Sequence, residues 1–371
     1  MNTRTVLRIF AAAGLALLAV IGYLCFWPVA AEPVAWQAQS PPGYVGPYAP
    51  NTHLAGLRMI ALDDEFGPEH IAMGADGKLY AAMTSGSILR MDPDGGNQAV
   101  FADTGGRVLG FDFDAAGAMI AADAFRGLLS IDVDGQASLL TDHVNPGDPI
   151  DYADAVVVAA NGTIFFTDAS RRFSPEQWGG TLEASVLDIM EQSATGRVLA
   201  YDPATKNTRV VAHGLSFANG IALSADGLQL FVNETGRYRI WKIDAQADDV
   251  DVQSGSPQAV VLLDNLPGYP DNLMRGRDGR IWVGLFRPRN PAADSLAQWP
   301  FLRKILLRLP RAWLPLGRPY GHVFAIDESG AVTQDLQDPT GAYAETTGVT
   351  ETGSRLYIHS LSAHGIGWLP L

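Results

Sequence analysis

The chain is nearly devoid of cysteine. Among its 371 residues the only one is Cys25, which lies in an apolar N-terminal stretch. The body beyond it can form no disulfide, use no thiol nucleophile and offer zinc no thiolate. Positive charge is also short. Lys and Arg total 26 against 40 Asp and Glu, a formal net charge of −14. Nucleic acid needs a basic face for its phosphates, so it is not expected as a partner. No Gly-x-Ser-x-Gly elbow occurs, which disfavours a serine esterase.

Charge is missing altogether from residues 9–27, "IFAAAGLALLAVIGYLCFW". A helix rises about 1.5 Å per residue, so about 20 residues cross a bilayer core. Arg4 and Arg8 precede the stretch and no basic residue follows until Arg58. The positive-inside rule then leaves the N-terminus (1–8) in the cytoplasm, 9–27 as a single transmembrane anchor, and the body on the extracytoplasmic side, periplasmic or extracellular. Val29-Ala30-Ala31 would also fit a signal cleavage site, but the apolar run exceeds the usual signal core of about 7–15 residues. Residues 28–52, with six prolines, read as a linker.

What the body does have is glycine, proline and repetition: 39 Gly and 23 Pro suit a turn-rich all-β chain. One phrase, "SFANGIALSADGLQLF" (216–231), joins two apolar strands through a Gly turn. Relatives begin at Glu69 ("EHIAMGADGKLYAAM"), Leu109, Asp154, Asp271 ("DNLMRGRDGRIWVGL") and Glu345. Most are followed by a third strand, such as "GSILRMDPDGG" or "GHVFAIDESG". The turn glycines Gly77, Gly117, Gly162, Gly227, Gly279 and Gly353 lie 40, 45, 65, 52 and 74 residues apart by subtraction. Propeller units repeat at roughly 40–50 residues, and the longer gaps read as insertions. Such units bury both faces only by stacking radially. The expectation is an all-β, six-bladed β-propeller over 53–371, with insertions at 174–196 and 286–318. A strand near residues 53–62 would complete the last blade.

Eight residues before the turn glycines stand Glu69, Leu109, Asp154, Asn219, Asp271 and Glu345. Five of the six carry oxygen just before an apolar strand. In a propeller the first strand of each blade lines the axis, so these positions form a ring. Unpaired carboxylates there would repel one another and lose hydration. A hard cation relieves both costs, and an all-oxygen set without Cys or His favours calcium. The alternative is that these residues cap strands or bond turn backbone, as Asx residues commonly do.

"FANGIALSADG" (217–227), "GYPDNLMRGRDGRIWVG" (268–284), "PEHI" (68–71) and "IFFTDASRRF" (164–173) resemble the strictosidine-synthase-like branch of six-bladed propellers, the branch of adipocyte plasma membrane-associated protein. The wider superfamily includes paraoxonases and the gluconolactonase/regucalcin family. The resemblance covers about residues 55–371, and the membrane anchor matches it. Carried over residue by residue, the paraoxonase calcium ligands fall on Glu69, Asp154, Asn219, Asp271 and Asn272. Asp154 stands where Asn is usual. The proposed paraoxonase base histidine falls near residues 120–127, where no histidine occurs. The glutamate used by strictosidine synthase falls near Thr346 or Thr347, with Glu345 close by, so strictosidine condensation is not expected.

The function this implies is a calcium-dependent hydrolase of lactones or aryl esters, with metal-activated water in the central channel. Asp271 would hold or deprotonate the water; Asp154 and Glu345 are weaker candidates. The competing reading is a non-catalytic, membrane-anchored binding propeller with a structural calcium. His70, His359 and His364 read as surface or packing residues. Helical spacing of Leu182, Val186, Leu187 and Met190 predicts a short helix at the substrate entrance. Residues 286–318 interleave seven basic residues with Trp299, Phe301, Leu302, Trp313 and Leu316, among other apolar residues. That mixture suits a membrane interface or a lid over the channel.

Overall fold

A computed structural model describes residues 3–310 and 317–371. Arg311, Trp313, Leu314 and Leu316 lie outside the described residues. The uncharged N-terminal run is one helix, Thr3–Phe26, with no buried residue. At about 1.5 Å per residue its 24 residues are about 36 Å long, enough to cross a bilayer.

The body is a six-bladed propeller. Each blade is a meander of four antiparallel strands, and the inner strands are His70–Met73, Val108–Phe113, Ala153–Val158, Ala218–Leu223, Gly268–Arg275 and Thr346–Glu351. Second strands such as Leu79–Ala82, Met119–Asp123 and Ile164–Asp168 are buried along their whole length. A strand covered on both faces reads as a continuous apolar run, which is what the sequence shows there. Blade three gains a fifth strand, Val250–Asp251, parallel to Asn207–Leu215. Blade six is closed by the chain's own beginning: Arg58–Ala61 pairs with Gly365–Pro370, Arg58 opposite Trp368 and Ala61 opposite Gly365.

The turn glycines 77, 117, 162, 227 and 279 all have φ between +73° and +88°, where a Cβ is strained. Gly353 of blade six is not in that region. Blade six turns instead through a shorter link, from Glu351 to Leu356.

At the axis the inner strands of neighbouring blades nearly touch. A Cβ on Gly220 would lie 2.3 Å from the Leu273 nitrogen, and one on Gly110 would lie 2.8 Å from the Ala155 Cα. Only glycine allows these approaches.

The proline-rich stretch 28–52 does not hang free as a tether. Val34 N–H donates to Glu191 O (2.7 Å), Trp36 N–H to Ala297 O (3.2 Å), and Gln337 Nε2 to Tyr48 O (3.1 Å). Tyr48 packs edge-on against Phe324. The segment is a strap across the propeller rather than a spacer. Insertion 174–196 carries helices Pro175–Trp178 and Thr181–Glu191, and 286–318 carries Pro291–Ser295 and Pro300–Leu307.

Candidate functional site at the propeller axis

Strand register defines the axial ring. In blades three to six a bulge separates two paired positions on the inner strand, and the residue just after the first points to the axis. Two residues before the paired Val156, Ile221, Leu273 and Val349 stand Asp154, Asn219, Asp271 and Thr347. The same count before Ile71 and Phe111 gives Glu69 and Leu109. The ring is therefore Glu69, Leu109, Asp154, Asn219, Asp271 and Thr347.

Glu345, assigned to this register from its turn glycine, lies two residues too early. The shorter turn of blade six, with Gly353 outside the left-handed region, displaced the count. Glu345 has φ +53° and is ion-paired to Arg287. It lines a neighbouring cavity of about 670 Å³ together with Arg107, Arg287 and Ser362.

Glu69, Asp154, Asn219 and Asp271 meet on the floor of a cavity of about 300 Å³. Its walls are mostly apolar: Leu109, Tyr152 and Phe217 from the propeller, Val186 and Ile189 from helix Thr181–Glu191, Leu306 and Leu307 from helix Pro300–Leu307, with Ser185, Arg287 and Asn290 among the polar exceptions. Burial, first of all, pushes the Asp154 and Asp271 carboxyls well above the usual range. Mutual repulsion adds to the Asp154 shift, and Glu69 raises both. A hydrogen bond from the Asn219 side chain offsets part of this at Asp271. Burial also raises Glu69, and the adjoining Arg107 guanidinium offsets part of that.

Asn272 does not line the cavity. Its Nδ2 donates to the Glu69 main-chain carbonyl (3.2 Å), which also accepts from the Thr347 hydroxyl (2.7 Å). Beyond the ring, His70 and His359 are buried with ring centroids 5.6 Å apart, and His70 stacks on Phe111 at 4.7 Å. Desolvation lowers His70 to about 4 and His359 well below the usual imidazole range, so both are neutral. His364 is exposed beside Phe66.

The donor chemistry fits a hard cation. Every polar side chain on the cavity floor offers oxygen, and Asn219 Oδ1 is buried without a hydrogen-bond partner. Among the described residues, no group of three His, Cys, Asp or Glu side chains forms a ready-made metal cluster. Glu69 is engaged by Arg107 instead.

Sequence reading missed Arg107 and the acids that aim the ring. Asp123, Asp168 and Glu234 end the second strands of blades two to four. Each accepts from a main-chain N–H just ahead of the inner strand: Arg107 (3.1 Å), Tyr152 (2.9 Å) and Ser216 (2.9 Å). Their signal was visible, since "IAAD", "FFTD" and "FVNE" recur at the same place in the repeat.

Comparison with known proteins agrees with this architecture. The family "Strictosidine synthase-like, N-terminal" matches residues 46–91, and "Strictosidine synthase" matches residues 154–247. The chain is similar to strictosidine synthase-like protein 13 of Arabidopsis thaliana, 35% identical over 56% of this chain and 49% of that protein. It spans about half the length of that and similar plant relatives. Against adipocyte plasma membrane-associated protein of Salmo salar it is 29% identical over 88% of this chain and 80% of the relative. Among solved structures, a gluconolactonase from Xanthomonas campestris shares the fold, with a TM-score of 0.61 and 19% identity over 92% of this chain and 98% of the other.

Proposed function

This chain belongs to the strictosidine-synthase-like branch of six-bladed propellers, the branch of adipocyte plasma membrane-associated protein, and we propose that it is a calcium-dependent hydrolase of lactones or aryl esters. The observation that carries the reading is the floor of the axial cavity. Three buried carboxylates and the unpartnered Asn219 Oδ1 lie beneath mostly apolar walls.

Glu69, Asp154, Asn219 and Asp271 would hold the ion, with Asn272 fixing Glu69 from behind. When bound, calcium would polarise the substrate carbonyl and stabilise the developing oxyanion. Asp271 is the candidate to orient the attacking water and take its proton. The walls exclude bulk water and hold the substrate over that group. Glu345, already bound by Arg287 and outside the cavity, is a poorer base than the sequence alone suggested. Against a strictosidine-type condensation stands Thr347, which offers the axis a hydroxyl that already donates to Glu69. The anchor would keep the propeller at a membrane, on the extracytoplasmic side by the charge rule.

A second reading, a binding propeller with a structural calcium, is favoured by the Arg107–Glu69 pair, which takes one ring carboxylate out of play. A catalytic ion needs an open position and a structural one does not. Purified protein, with and without EGTA, assayed on phenyl acetate and a lactone panel separates the two. Hydrolysis abolished by EGTA supports the hydrolase; calcium-dependent melting without hydrolysis supports the binding module.

A further inference from the structure

The parts that wall the axial cavity also grip the membrane helix. Helix Pro300–Leu307 places Leu306 and Leu307 in the cavity, while Trp299 and Phe301 stay 61% and 52% exposed. The next residue, Arg308, is buried. Its Nη1 donates to the Leu24 carbonyl (2.9 Å) and its Nε to the Trp27 carbonyl (2.6 Å); Tyr23 Oη donates to the Arg308 carbonyl (3.1 Å). These carbonyls end the anchor helix, where intrahelical donors run out and a cation is favoured.

The strap continues the connection. Glu32 N–H donates to Glu191 Oε2 (2.7 Å), and Arg303 donates to Met190 O (2.8 Å) and to Val34 O. Ala31 is fully buried in the cluster of Leu109, Phe217 and Ala184, with Leu307 packed against it. Ala31 is four peptide steps from Trp27, a reach of at most about 14 Å. The cavity wall is therefore built against the end of the apolar helix, and would stand at the membrane surface with that helix as anchor.

The chemistry of the wall restricts what can fill it. Apart from the floor, the charged and amide groups that line the cavity are Arg287, paired with Glu345, and Asn290, whose Oδ1 accepts from Ala292 and Ala293 N–H; the rest of the walls is mostly carbon. A sugar lactone would bring several hydroxyls to walls with few polar groups, and those left unsatisfied carry a cost. An alkyl chain would meet matching surface.

Resting on the hydrolase reading above, we infer that the substrate is an ester or lactone bearing a long alkyl or acyl chain, taken up from the bilayer that holds the anchor. Its carbonyl lies at Asn219 and Asp271, and its chain runs along Val186, Ile189, Leu306 and Leu307.

The test uses the full chain in nanodiscs with calcium. Its substrates are phenyl acetate, glucono-δ-lactone and a series from δ-valerolactone to δ-dodecalactone. The expected result is kcat/KM rising up to about fourfold per methylene until the cavity is full, with little turnover of the glucono-lactone. Arg308→Ala should lower δ-dodecalactone turnover at least about tenfold, and Arg308→Lys should recover part, while phenyl acetate turnover stays unchanged. Trp299→Ala/Phe301→Ala, at exposed positions, should shift the same ratio and serves if Arg308→Ala folds poorly. A second readout needs no turnover. In EGTA, δ-dodecalactone but not δ-valerolactone should slow amide exchange in helix Thr181–Glu191. Phenyl acetate hydrolysis with no chain-length dependence, or preference for the glucono-lactone, overturns the inference. So does absence of exchange protection. Protection without any hydrolysis would instead sink the hydrolase reading and leave the acyl-chain site standing.

Discussion

Asn272 reaches across 203 residues of sequence to donate its side-chain amide to the main-chain carbonyl of Glu69 (3.2 Å). Thr347 donates to the same oxygen from blade six. Three blades thus share one acceptor behind the ring. Because either donor alone satisfies the carbonyl, Asn272→Ala and Thr347→Val should each cost about 1 kcal/mol in urea unfolding. The double variant should cost more than the sum by about 1–3 kcal/mol, since the buried carbonyl then loses both of these donors. Strict additivity would show that the two donors do not cooperate.

Calcium should stabilise the folded chain. At a hundredfold excess over Kd, a ligand specific to the folded state adds about 2.7 kcal/mol. Asn219→Ala and Asp271→Ala should abolish that gain in thermal melts. Melting curves indifferent to EGTA in the parent protein would remove the calcium reading altogether.

The same carboxyls predict an acid-side signature. Asp154 and Asp271 are raised well above their ordinary 3.8 by burial and repulsion. The folded state then binds more protons than the unfolded chain, so their contribution to stability falls as pH rises from about 4 through the raised values. In EGTA, Asp154→Asn should flatten this fall, and saturating calcium should erase it. Melting temperature recorded against pH, with and without calcium, checks both.

His70 should slope the other way. Its folded value is lowered from 6.5 to about 4, chiefly by burial. The unfolded chain takes up the proton first, so stability is lost as pH falls from about 6.5 towards 4. His70→Phe, with its ring kept against Phe111, should remove this loss. An unchanged acid limb in the variant would contradict the assignment.

Asp168 is fully buried, holds Arg197 (2.8 Å) and accepts from Tyr152 N–H just ahead of Asp154. Asp168→Ala leaves a buried guanidinium with less compensation and should cost about 3–5 kcal/mol. It should also weaken calcium binding, because the loop that aims Asp154 loses its fastener. Calorimetric titration on the surviving folded fraction would register that second effect.

The propeller was legible because five of the six blades repeat a local pattern: apolar strand, left-handed glycine, apolar strand. Glu69, Asp154, Asn219 and Asp271 were legible for the same reason, as fixed offsets from Gly77, Gly162, Gly227 and Gly279. Glu345 was misplaced where the local rule failed, at a turn whose glycine is not left-handed. Arg107 on Glu69 and Arg308 on the anchor could not be read from spacing. Each pairs residues brought together only by the packing of neighbouring blades or by the folding back of an insertion.

The pairing of Arg58 with Trp368 sets a clock on this protein's birth. The strand that seals the ring leaves the ribosome early, and its partner arrives about 310 residues later. At about 5–20 residues per second, that is a wait of at least about 15 s. Throughout it the Arg58–Ala61 strand has no partner, and its open edge can pair with a blade-six strand of another chain. Tethering at a bilayer by the N-terminal helix would raise the local density of such nascent neighbours. Crowded overexpression should therefore yield ring-swapped dimers, in which the Arg58–Ala61 strand of one chain completes the last blade of another.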